Sequence, residues 1–242
     1  MTERLYLAED VYVCVTEGHG VFLDLKQDKY SAVMFVGAPA ASGGDDAADY
    51  DSASALAEKL AQQSKALLAA GLLTTDKAKG KSIEATPIER PHGHIFGLDD
   101  QRAFGLTGPA AAELEITLRD LWDFFAASWK ASRELKTKHI SQVVERARRR
   151  KRAARDPDTD IEQLRRRTAI YRRLRPWYPR KYLCLYDSLA LVEFLARRKV
   201  YPVWVFAVQA QPFGAHCWVQ HEGLLLNEGT EYAGQFTPIM SI

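Results

Sequence analysis

The chain reads as an α+β protein in two parts, on three observations. Alternating apolar segments crowd the first 36 residues, helical apolar patterns fill most of residues 52–200, and a strand–turn–strand pattern follows near the C-terminus. Strands and helices kept apart in this way imply α+β rather than a regular βα alternation. A length of 242 residues is enough for one large or two small domains with real cores.

Residues 10–16 (DVYVCVT) alternate Val11, Val13 and Val15 against Tyr12, Cys14 and Thr16, as a half-buried strand does. Gly18-His19-Gly20 turns the chain, residues 21–25 make a second strand, residues 26–29 a polar turn and residues 30–36 a third strand. His19, between glycines, reads as a solvated loop residue, and Cys14 is given no chemistry. Residues 37–51, rich in Ala, Gly, Ser and Asp, read as an irregular connection or a weak helix. Ser52 or Ser54 can cap the next helix, whose apolar stripe is Leu56, Leu60, Leu67 and Leu68. Gly71 ends it, and Leu72-Leu73 can fold back onto its last turn.

Residues 74–105 hold turn residues and no sustained helical period, and 74–82 read as linker. His92 and His94 lack a nearby third ligand, so no metal site is expected. Pro109 suits a first helical position. Leu114, Leu118, Leu121, Trp122, Phe125 and Trp129 then form a broad apolar face to about residue 133, with the aromatics expected in the core. Residues 136–155 carry nine Lys/Arg and one acid over the stripe Ile140, Val143, Val144 and Ala147. Such a segment is a solvated helix face, a docking surface for an acidic partner, or a phosphate-backbone contact. Residues 136–181 hold 17 Lys/Arg against 5 Asp/Glu, a net of +12 in a chain whose total is +2. Residues 156–160 break the helix, and Thr159 with Glu162 resembles a capping box. Ile161, Leu164, Thr168, Tyr171 and Leu174 mark the next helix, which runs into Pro176-Trp177-Tyr178-Pro179.

The C-terminal quarter carries the chemistry. Cys184 follows the Pro-Trp-Tyr-Pro cluster and opens a helical pattern with Leu185, Leu189, Val192 and Ala196 on one face. A thiol in a helix's first turn meets unpaired N–H groups and the positive end of the dipole, which favour the reactive thiolate. Residues 203–208 read as a buried strand, Pro212 and Gly214 as a turn, residues 215–220 as a second strand, residues 221–223 as a tight turn and residues 224–227 as a third strand. His216 and Trp218 face one way on the second strand; Ala215, Cys217 and Val219 face the other, and Cys217 is read as packing. Glu228, across the hairpin, can reach the His216 imidazole. A thiol at a helix start, a strand histidine and a carboxylate on the next strand have the parts of a nucleophile, a base and its orienter.

Two resemblances rest on these residues. Cys184, Ser188, the stretch FGAHCWV containing His216 and Trp218, and Gly223 with Asn227-Glu228 are similar to the B2 peptidase of lasso-peptide biosynthesis. This family is a transglutaminase-like (papain-like) cysteine peptidase that removes the leader from a ribosomal precursor. The likeness covers about residues 105–240. It implies Cys184 as nucleophile and His216 as general base, then acid. The third position, usually Asp in the family, falls on Glu228 with Asn227 just before it, and which of the two orients His216 stays open here. Cys217 stands where the family often has Ala. The three N-terminal strands and the helix closing at Gly71 resemble the PqqD-type recognition domain, a winged helix-turn-helix. That likeness implies a leader peptide adding a strand along Tyr30, Ser31, Ala32, Val33 and Met34, packed by Leu67, Leu68 and Leu72.

The expected organisation is therefore a leader-recognition domain at 1–75, a linker and entry segment at 76–104 and a peptidase domain at 105–242. The resemblance implies a lasso precursor peptide as substrate and an ATP-dependent, asparagine synthetase-like macrolactam cyclase as partner; no cofactor, metal or nucleic acid is expected. Tyr182 is a candidate second oxyanion donor. No apolar run reaches the ~18–20 residues that span a bilayer, and the first residues, MTERLYLAED, lack a signal pattern. Three cysteines, Cys14, Cys184 and Cys217, make neither a disulfide framework nor a metal spacing, which suits a reducing cytoplasm. The competing readings are a transglutaminase-like acyltransferase, a nucleic-acid-binding regulator built from a winged helix and the basic segment, and a non-catalytic peptide carrier.

Overall fold

A computed structural model describes residues 4–35, 53–85, 88–95, 114–154 and 160–242. The chain divides into two compact units. The first comprises Met1–Ile88, Phe206–Ala215 and Phe236–Ser241; the second comprises Glu89–Val205, His216–Gln235 and Ile242.

In the first unit, β1 (Tyr6–Ala8) is followed by an antiparallel meander of β2 (Val11–Thr16), β3 (His19–Asp24) and β4 (Lys29–Met34), in the order β2-β3-β4. The first turn is Glu17-Gly18, both at positive φ, one step earlier than the sequence suggests. His19 thus opens β3, half-buried, and its ring bonds the Glu17 carbonyl at 2.7 Å. Gly20 is required there because a Cβ would lie 2.5 Å from Phe35 Cζ. Helices α1 (Ala53–Gln62) and α2 (Ser64–Ala69) follow; residues 37–51, Ser52 and the Ser54 side chain lie outside the described residues. Gly71 takes φ +72°, while Leu72 N bonds Leu67 O and Gly71 N bonds Leu68 O at 3.0 Å each. This is the glycine-closed helix end that the sequence predicts. The stretch read as linker is partly built in: β5 (Leu73–Thr74) and β6 (Gly80–Lys81) both pair antiparallel with β1. Leu7, Val11, Val13, Phe22, Leu56 and Leu60 fill the core with Leu67 and Leu72.

In the second unit the helices are α3 (Leu118–Thr137), α4 (Ile140–Ala153), α5 (Ile161–Leu174) and α6 (Cys184–Ala196). Pro109 lies outside the described residues, and Leu114–Thr117 is not helical. Thr117 caps α3 in a reciprocal box with Asp120. Thr159 also lies outside the described residues; Asp160 caps α5 by accepting Glu162 N at 3.0 Å. The remaining strands are β7 (Gly93–His94), β8 (Val203–Gln209), β9 (Gly214–His221), β10 (Leu224–Leu225) and β11 (Thr237–Ser241), with a short helix α7 (Thr230–Ala233) before the last; within the second unit they run in the order β9-β10-β7.

The expectation for α3 is overturned. Leu118, Trp122 and Trp129 are 85%, 69% and 60% exposed, and Phe125 is exposed as well. The buried face is Asp120, Asp123, Phe124, Ala127, Ser128, Ala131 and Glu134. Small residues let a neighbouring helix approach, and each acid meets cations from distant elements. Asp120 pairs with Arg167 and Arg198, Asp123 with Arg197 and Arg198, and Glu134 with Arg146. Much of the basic run on α4 is likewise turned inward. Arg150 reaches the buried Glu193 at 2.8 Å and Arg146 reaches it at 3.5 Å, with Lys130 at 2.7 Å. Lys151 bonds the Ile242 carbonyl at 3.2 Å. Unpaired, an acid such as Glu193 would be costly to bury; its counter-charges come from α3 and α4.

Candidate active site

The helix that opens at Cys184 is held from behind. Leu183 is the N-cap of α6 in an extended conformation, and Cys184 is its first helical residue. Asp187, the fourth helical residue, accepts Leu183 N at 2.7 Å, the donor that the acid of a capping box takes from one position earlier. Buried Arg175 pairs with Asp187 and donates to the carbonyls of Tyr178, Arg180 and Lys181 at 3.1–3.3 Å. One guanidinium thereby fixes the loop that delivers Cys184. Tyr182 is exposed, with its ring over Arg175 at 4.2 Å. The Cys184 N–H belongs to the first helical turn, whose N–H groups have no intrahelical acceptor.

The histidine and acid come from the hairpin. Glu222 and Gly223 take positive φ between β9 and β10, the geometry of a tight two-residue hairpin turn. The turn returns the chain so that Leu225 faces Gln220 and Leu226 N bonds Val219 O at 2.9 Å. His216 Nε2 meets Glu228 Oε2 at 2.9 Å. An imidazole has two nitrogens, and the other, Nδ1, remains for Cys184, to which the ring is hydrogen-bonded. Glu228 Oε1 also accepts Gly229 N at 2.9 Å. The Tyr232 ring packs edge-on to His216 at 5.0 Å.

Asn227 does a different job from its neighbour. Its Oδ1 accepts Val219 N at 2.8 Å and its Nδ2 donates to Ser188 Oγ at 3.0 Å. Ser188 in turn donates to the Cys217 carbonyl at 3.1 Å. These three bonds tie β9 to α6 one turn beyond Cys184. The carboxylate, not the amide, contacts the imidazole.

Electrostatics follow from this packing. Cys184 is pulled from the ordinary thiol range down to about 4, first by a hydrogen bond with the Cys217 thiol and then by one with His216. Burial disfavours a charged His216 ring, but the bonds to Cys184 and Glu228 outweigh it and raise the imidazole to about 9. Burial pushes Glu228 up; its bonds to His216 and Gly229 prevail and hold it below the usual carboxylate range. The resting pair is therefore thiolate and imidazolium, as in other activated cysteine sites.

Cys217 packs in the core, as its sequence position suggests. It is 3% exposed on β9, beside His216 in the chain, and its sulfur reaches that of Cys184. Ser188, Arg175, Asp187 and Tyr232 also shape the site without having been singled out for that role. Ser188 had a signal, lying one helical turn from Cys184; Tyr232 had none. Cys14 is buried, and burial raises its thiol to about 12. Among the described residues no group of three His, Cys, Asp or Glu is placed to hold a metal; His94 instead lies 3.4 Å from the Thr230 hydroxyl. Among them, too, no helix is long and apolar enough to cross a membrane.

The leader-binding candidates divide. Tyr30 to Met34 form the outer strand of the β2-β3-β4 sheet, with Met34 67% exposed and its carbonyl accepting Gln63 Nε2 at 2.8 Å. The Tyr30 ring contacts Phe213 at 5.7 Å. Leu67 and Leu72 are buried in the core, with Leu68 partly buried against it.

Residues 127–241, just under half of the chain, match the family model of the transglutaminase-like superfamily, to which this part of the chain is similar. No curated protein and no solved structure matches the chain.

Proposed function

We propose that the chain is a cysteine peptidase that removes a leader from a ribosomally made precursor peptide, of the lasso-peptide kind. The observation that carries the catalytic part is the chain of contacts from Cys184 at a helix start to His216 and on to Glu228 at 2.9 Å. The superfamily match supports thiol acyl chemistry in general; the leader substrate rests on the motifs around Cys184, His216 and Glu228 and on the N-terminal meander.

In the forward reaction the Cys184 thiolate attacks the leader–core amide carbon, and the His216 imidazolium protonates the departing amine. Glu228 holds the ring's orientation and balances its charge. The Cys184 N–H faces the developing oxyanion. Neutral His216 then takes a proton from water, which attacks the thioester and frees the leader's carboxylate. The exposed edge of β4 gives the leader a strand to pair with, and tethering it there raises the local concentration of the scissile bond at the thiol. The inward pairing of Arg146 and Arg150 speaks against the basic segment as a phosphate-binding surface.

The test is incubation with a precursor peptide encoded beside the gene, read by mass. Expected products are free leader acid and core; Cys184→Ala abolishes both and leaves leader binding intact. Deleting residues 1–75 weakens cleavage by loss of binding. The same thioester could pass to an amine, and an added amine found on the leader's C-terminus would replace peptidase with acyltransferase. No thiol-dependent product with any precursor would overturn the proposal.

A further inference from the structure

Cys217 is a buried thiol that the peptidase mechanism above does not use. The backbone on either side of it is pinned: Ser188 donates to its carbonyl at 3.1 Å, and Asn227 links Ser188 to Val219 N. Ser188 lies one turn along α6 from Cys184, on the same face. That register sets residue 217 against the face of the helix bearing the nucleophile, and the two sulfurs are in hydrogen-bonding contact.

The direction of that bond follows from the neighbours. An anionic sulfur has no proton to give, so the donor of the bond is whichever thiol stays protonated. The Ser188 hydroxyl proton is committed to the Cys217 carbonyl. Cys217 is 3% exposed, whereas Cys184 is half-buried at the positive end of a helix, so of two touching thiols Cys184 is the one that ionises. Burial holds Cys217 protonated. Among the described residues, the titratable groups facing the Cys184 sulfur are His216 and Cys217, both from β9; Glu228 touches the far side of the His216 ring.

We infer that Cys217 is a second catalytic thiol, which keeps its proton and donates a hydrogen bond from it to the Cys184 sulfur whenever that sulfur is anionic. The inference rests on Cys184 being the nucleophile. The bond holds the resting thiolate, weakens as the sulfur is acylated and re-forms as the thioester breaks, so Cys184 becomes a better leaving group when water attacks. No covalent bond is made to Cys217 at any step.

The test uses the full chain and no peptide substrate. The rate of Cys184 alkylation by iodoacetamide is followed against pH by mass of the Cys184-containing fragment, with circular dichroism confirming the fold at each pH. Cys217→Ala and Cys217→Val remove the donor; Cys217→Ser keeps one. Hydrogen bonds to charged groups are strong, but S–H is a weak donor. The expected upward shift of the titration midpoint in both non-donor variants is therefore about one pH unit, roughly a tenfold loss of thiolate below the midpoint. Cys217→Ser keeps the wild-type midpoint. Unmoved midpoints in the alanine and valine variants, or a serine variant displaced as far as they are, would overturn the inference. If one non-donor variant fails to fold, the other still decides. Should the shift appear while no precursor is ever cleaved, the thiol pair stands and the peptidase reading falls.

Discussion

Helices α3 and α6 both looked like amphipathic core helices, and they differ in which face is inside. In α6 the apolar residues are buried on every side, from Tyr186 to Leu195, with Glu193 among them. In α3 the aromatic stripe faces solvent while Asp120, Asp123 and Glu134 are buried. An apolar period marks a stripe on a helix; whether that stripe is buried depends on what the rest of the chain brings to the opposite face. For α3 this is Arg146, Arg167, Arg197 and Arg198, supplied from α4, α5 and the end of α6. A helix that hides its acids and shows its tryptophans is folded by long-range ion pairs as much as by its own period.

The sharpest way to break this comparison is within α3 itself. Phe124→Ala, at a fully buried site, should cost about 3–5 kcal/mol in urea unfolding. Glu193→Ala in α6 removes the acid that Lys130 and Arg150 meet and one of the two that Arg146 meets. Because those cations are partly solvent-exposed, the loss should be nearer about 2–3 kcal/mol than the full cost of breaking a buried pair, with the same assay reporting it. Asn227→Ala should cost about 1–3 kcal/mol by leaving Val219 N and Ser188 without their partner. Glu228→Gln should instead spare stability and lower kcat, so paired melts and kinetics separate the two neighbours. Cys184 alkylation should stay nearly level from about pH 5 to 8 and fall roughly tenfold per unit below about 4 as the thiolate is protonated, while cleavage should also fall above about 9 as the imidazolium acid is lost. The smallest effect is expected where the sequence promised a large one: Trp122→Ser or Trp129→Ser should change unfolding by less than about 0.5 kcal/mol, and a loss of several kcal/mol would show the stripe to be buried after all.

Local rules made part of this molecule legible. Gly71 announces its helix end, the proline cluster announces that a helix opens at Cys184, and the spacing across a tight turn brings Glu228 to His216. What could not be read was set by contacts between residues far apart in the chain. Lys130 with Glu193 and Arg198 with Asp123 join segments whose pairing leaves no mark on either one alone. Ser188, Asn227 and Cys217 were all visible as residues, but their bonds exist only once α6 lies on β9. Alternation along β9 placed Cys217 on the face away from His216; it could not say that Cys184 would meet both side chains.

Consecutive residues Asn227 and Glu228 hold two separate parts of the site, one fastening helix to strand and the other steadying the imidazole. The length of the return from Gly223 is therefore a functional dimension in its own right. Lengthening it by a single residue would bring the Asn227 amide beside the ring, and shortening it by one would set the Glu228 charge against the Ser188 hydroxyl; either would disable the site without altering any residue of the site itself.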